Sequence, residues 1–115
     1  MRVTTDFWVS ALVRRVFAAN GFAAVSRKGA AEAGTVLLVR RDRLGDAWLY
    51  VPAAQADYDE DRPTERLFAQ VLQTQDEDEI QARIAREVRF DSDLWIVELE
   101  LDEAQLRELV SLTTP

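Results

Sequence analysis

The stretch Ala85–Glu100, AREVRFDSDLWIVELE, changes period in its middle. Before the switch, Ile80, Ile84 and Val88 recur at i, i+4 and i+8, the spacing of a narrow apolar stripe on a helix. After it, Trp95, Val97, Leu99 and Leu101 alternate with Ile96, Glu98 and Glu100, the spacing of a strand with one dry face. Leu94 and Ile96 make the start of the second face apolar, and the two glutamates make its end wet. Between the two patterns stand Asp91 and Asp93, residues that hydrogen-bond nearby backbone at corners. Their most economical role is to end a helix and start a strand. A divalent cation on this DSD corner would need a third ligand or a phosphate-binding loop, and neither is visible.

Working outward, Asp76–Glu79 put negative charge at the start of that helix, where the helix dipole favours it. Asp102 after the strand is a cap for a last helix expected over 103–112. Upstream, Thr35–Arg41 and Trp48–Val51 flank DRLGD, with Gly45 free to take positive φ, and form an antiparallel hairpin. Pro52 ends the second strand. Phe22–Arg27 is a short candidate strand, and AAEAG before Thr35 is a loop or one helical turn.

At the N-terminus, Thr5 or Asp6 caps a helix running to about Asn20, with Gly21 ending it. At about 100° per residue, Trp8, Val9, Leu12, Val13, Val16 and Phe17 share one half of the wheel. Ser10, Arg14 and Arg15 share the other. The segment 65–73 fits either period, because Leu67, Phe68, Val71 and Leu72 also suit a helix. A strand is favoured there, since a lone hairpin needs more sheet to be stable. The expected fold class is therefore α+β, in a single domain over 1–115. It has an N-terminal helix, a small mainly antiparallel sheet, a second helix before a C-terminal strand, and a short terminal helix.

Composition narrows the chemistry. The chain has 115 residues with 48% hydrophobic content, enough for one core without a disulfide or structural metal. It has no Cys and no His, so thiolate nucleophiles, zinc–thiolate sites and imidazole bases are absent. No G-x-x-x-x-G-K-[ST] or G-x-G-x-x-G loop occurs. DYDED places Asp57, Asp59 and Asp61 at alternate positions of a calcium loop, but Arg62 and Phe68 stand where Gly and Glu are needed. No catalytic residue, metal ligand or cofactor is assigned. A carboxylate and divalent-metal enzyme would require convergence among Asp57, Asp59, Asp91 and Asp93.

Net charge is -7, unevenly spread. Residues 1–43 hold eight basic and three acidic side chains, a balance of +5, and 44–115 hold six and eighteen, a balance of −12. The doublets Arg14-Arg15, Arg27-Lys28 and Arg40-Arg41 would form a basic patch if the first helix packed beside the hairpin. With Tyr58, a residue able to dock a partner, they give the partner-binding candidates Arg14, Arg15, Arg27, Arg40, Arg41 and Tyr58. Pairing with the chain's own acids is the plainer fate of those arginines. The expected function is a non-enzymatic interaction module, binding another protein or itself as a monomer or homodimer. A nucleic-acid-associated protein is the alternative, and the net charge opposes it. An open strand edge would also invite pairing with a second chain. No apolar run approaches a membrane span, and a cytoplasmic location is expected.

FWVSALVRR (Phe7–Arg15), GFAAVSRKGAAEAG (Gly21–Gly34), YDED (Tyr58–Asp61) and AREVRFDSDLWIVELE stand in an order and spacing that resemble a family of short bacterial proteins, domain of unknown function 1491. The resemblance covers about residues 1–101. It implies a size class and a bacterial cytosolic setting, and it carries no catalytic or binding residue.

Overall fold

The computed structural model describes residues 3–53 and 66–113. The elements run α1 (Thr5–Ala18), β1 (Phe22–Arg27), β2 (Val36–Arg41), β3 (Ala47–Pro52), β4 (Leu67–Thr74), α2 (Glu77–Phe90), β5 (Trp95–Glu100), α3 (Glu103–Leu109) and β6 (Ser111–Leu112). The α+β class is as expected. The strands form one mixed sheet in the order β1-β5-β2-β3-β4-β6. β1 with β5, β2 with β3 and β3 with β4 are antiparallel. β5 inserts parallel to β2, and β6 lies parallel to β4.

The period switch at Asp91–Asp93 does what its residues predict. Asp91 caps the C-terminus of α2, and its side chain accepts from the Asp93 amide at 2.9 Å. Strand β5 then divides its side chains between two cores. Trp95, Val97, Leu99 and Leu101 join Val9, Leu12 and Val16 of α1 and Leu106 of α3. Leu94 and Ile96 join Leu37, Val39, Leu49 and Ile80 under α2. The sheet is thus a middle layer with α1 and α3 on one face and α2 on the other, the arrangement that buries both sides of a twice-apolar strand.

Several local expectations are corrected. Thr4, not Thr5 or Asp6, caps α1, accepting from the Phe7 amide. Thr5 is wholly buried and donates to the Gly34 carbonyl. The turn after α1 places Asn20, not Gly21, at positive φ, 66°. Asn tolerates that region because its short polar side chain bonds locally. Gly21 is needed instead for close approach, since a Cβ there would sit 3.0 Å from the Glu100 carbonyl oxygen. Phe17, expected in the core stripe, is 49% exposed and packs edge-on against Phe22. The last helix stops at Leu109, and the chain turns at Val110 into β6 instead of continuing to Leu112.

The ambiguous segment is strand β4, and the bulge in it explains the ambiguity. Gln70 pairs with Tyr50 and Leu72 with Leu49, which leaves Val71 without a partner residue. Phe68 therefore faces the α1 core while Leu72 faces the α2 core, although an even strand would put them on one side.

Candidate interaction surface

Strand alternation separates the basic doublets. Arg40 and Arg41 are neighbours in β2, so they leave the sheet on opposite faces. Arg40 enters the α1 side and is 5% exposed. Its Nε donates to the Tyr50 hydroxyl at 3.1 Å, Nη1 donates to the Leu101 carbonyl at 3.4 Å, and the guanidinium lies 3.8 Å from the Trp48 ring centroid. A cation over an indole face gains from the ring quadrupole, which helps an arginine tolerate burial.

Arg41 leaves on the α2 side, where Nε donates to Glu98 and Nη1 and Nη2 to Glu77. The bond to Glu77 raises the Arg41 pKa against the opposing effect of burial, with Glu98 adding to the rise. The same bond, helped by Gln81, holds the Glu77 carboxyl below its ordinary value. Both arginines are internal fasteners of the sheet.

The other doublets are also dispersed. Arg14 is exposed on α1, while Arg15 donates to the carbonyls of Glu108 and Leu109 at the end of α3. Arg27 donates through Nη2 to the Ser92 carbonyl at 2.7 Å, and its Nε is buried without a partner. Lys28 is exposed. The five described partner-binding candidates, Arg14, Arg15, Arg27, Arg40 and Arg41, therefore do not form one patch. Tyr58, Asp57 and Asp59 lie outside the described residues. Among the described residues no three carboxylates gather as metal ligands.

The surface that sequence reasoning did not assemble lies at the β1 end of the sheet. β1 is the terminal strand and pairs only with β5, so one row of its backbone N–H and C=O groups has no sheet partner among the described residues. Only Ala23 in it is buried; Phe22 is 49% and Val25 42% exposed. Pairing with β5 shifts register between Val25 and Arg27, so the regular part of the edge is Phe22–Val25. Phe17 of α1 extends the apolar surface at its start. Beside Phe22 opens a cleft of about 540 Å³ that Arg40, Arg43, Glu100 and Asp102 help to line. Glu100 is the Cα partner of Phe22, and it is exposed. The sequence signal for this surface was available in the short FAAVSR run, which carries apolar residues of both parities.

No helix among the described residues is long and apolar enough to cross a membrane. No curated protein matches the chain. A solution structure from A. tumefaciens is similar over 100% of this chain and 98% of its own, with 46% identity and a TM-score of 0.83. A crystal structure of a family member from Caulobacter crescentus shares 35% identity over 96% of this chain and 99% of its own, with a TM-score of 0.78. An NMR structure of a family member from Caulobacter crescentus shares 36% identity over 99% of each chain, with a TM-score of 0.77. The family model DUF1491, "Protein of unknown function", matches residues 3–110, and on these matches the chain belongs to that family.

Proposed function

We propose that the protein is a non-enzymatic interaction module that pairs with a second copy of itself along the free edge of β1. The observation that carries this reading is the terminal position of β1 together with its exposed Phe22 and Val25. An antiparallel two-fold pairing would set the Phe22 end of one β1 against the Arg27 end of the other. The regular edge spans only Phe22–Val25, so the contact belongs to the small, transient class of interface. A cytoplasmic bacterial setting goes with this reading, supported by the absence of Cys and by family members from bacteria. The dispersal of the three basic doublets gives a nucleic-acid role less support.

Sedimentation velocity over a wide range of protein concentration tests the pairing. The wild-type mass average rises with concentration, and Val25→Glu, which puts a charge on the edge, keeps the protein monomeric. A wild-type chain that stays monomeric at the highest attainable concentration rules the pairing out.

A further inference from the structure

At the far end of the sheet from β1, three arginines from three separate segments of the chain line one notch. Arg15 comes from α1, Arg107 from α3, and Arg66 immediately precedes β4. The notch is about 300 Å³, with Trp8 as its aromatic wall. Glu108 is the one acidic residue lining it among the described residues. Such a concentration of positive charge is unexpected in a chain of net charge -7.

Among the described residues, the existing bonds leave these cations largely uncompensated. Arg15 spends Nη1 and Nη2 on two carbonyls, each at 3.3 Å. Arg107 meets Glu103 at 3.5 Å, a loose surface pair. Arg66 donates through Nη2 to the buried Thr5 hydroxyl at 2.8 Å and lies 5.2 Å from the Trp8 ring centroid. No carboxylate lies within ion-pair distance of Arg66 among the described residues. Burial lowers the Arg66 pKa, and no described group opposes that shift. A half-buried guanidinium without an anion carries a desolvation cost that a bound anion would offset.

We propose that this notch is an oxyanion site that takes a phosphate group through Arg15, Arg66 and Arg107. A carboxylate offers two oxygens and is satisfied by one arginine fork; three guanidiniums approaching from separate segments suit a tetrahedral group with more acceptor oxygens. The small volume and the acidic remainder of the surface favour a free phosphate or a small phosphomonoester over a polyanion. The site is independent of β1 pairing, because the two occupy opposite ends of the strand order.

NMR titration of the full chain with inorganic phosphate, at constant ionic strength against chloride, tests the site. Saturable shifts of the Trp8 indole and the Arg66 Nε–H are expected. Arg66→Gln and Arg107→Gln each weaken binding by about tenfold or more, the scale of a lost charge-assisted bond. Arg14→Gln, on the exposed side of α1, leaves it unchanged. Glycerol 3-phosphate binding more tightly than phosphate identifies an ester ligand, and equal binding identifies the free ion. An equal response to chloride, no saturation, or undiminished binding in the folded Arg107→Gln protein overturns the proposal.

Discussion

The two edges of the sheet are finished in different ways. At the β4 edge the chain returns after α3 and lays down β6, only two residues long, and the Thr113 amide donates to the Phe68 carbonyl at 2.8 Å. So short an outer strand offers little template to another chain. At the other edge, β1 offers four regular residues, of which Phe22 and Val25 are large, apolar and exposed. Among the described residues, one edge ends in a short strand and the other in a longer one with exposed apolar side chains. What closes the first edge is the anchoring of α3. Leu106 is fully buried in the core shared with α1, and a capping box joins Asp102 and Gln105 at the helix start.

The largest effect should come from undoing that anchor. Leu106→Ala is expected to cost about 2–5 kcal/mol, the range for truncating a fully buried leucine. Urea denaturation reads the loss directly, and a change below about 1 kcal/mol would show that α3 does not hold the edge. Hydrogen exchange sharpens the comparison without mutation. The amides of β4 that bond to β3 or β6 should be protected far more than the outward amides of β1 in the monomer. Equal protection at low protein concentration would mean the β1 edge is covered.

Val25→Glu should separate association from folding, moving stability by no more than about 0.5 kcal/mol while abolishing the mass increase. A further small effect on stability lies between the edges, at Arg41 and Glu77. The folded Glu77 pKa is depressed below 4.5, so its contribution is full above that value and is lost as pH falls through the lower folded pKa. Glu77 is well exposed, so Glu77→Gln should cost under about 1 kcal/mol at neutral pH. The gap from wild type should close in acid; a gap that persists at pH 2 would place the effect elsewhere than in the charge.

Helix α2 is legible in the sequence because its apolar stripe keeps one period, β2 and β3 because apolar runs flank a Gly turn, and β5 because its second half alternates. β4 is not, because the bulge at Val71 moves Phe68 and Leu72 to opposite faces and gives them a helix-like spacing. Phe17 falls on the apolar half of the α1 wheel, but α1 reaches the rim of the sheet there and meets the exposed Phe22. Runs of arginine read as patches in one dimension, whereas the pleat sends Arg40 into one core and Arg41 to Glu77 and Glu98 on the opposite side. The parallel insertion of β5 between β1 and β2 depends on topology, and residue spacing does not encode it. The notch arginines lie at sequence-distant positions, so only the folded chain brings them together.

The pairing of β1 with β5 has a consequence for biosynthesis. Phe22 emerges from the ribosome long before its neighbour Glu100, and until then neither side of β1 has a strand beside it. The Ala23, Ala24 and Ser26 that dilute its apolar character limit sticking between nascent chains during that wait. An apolar replacement at Ala24 would therefore raise losses to inclusion bodies during expression more than it would alter the finished molecule.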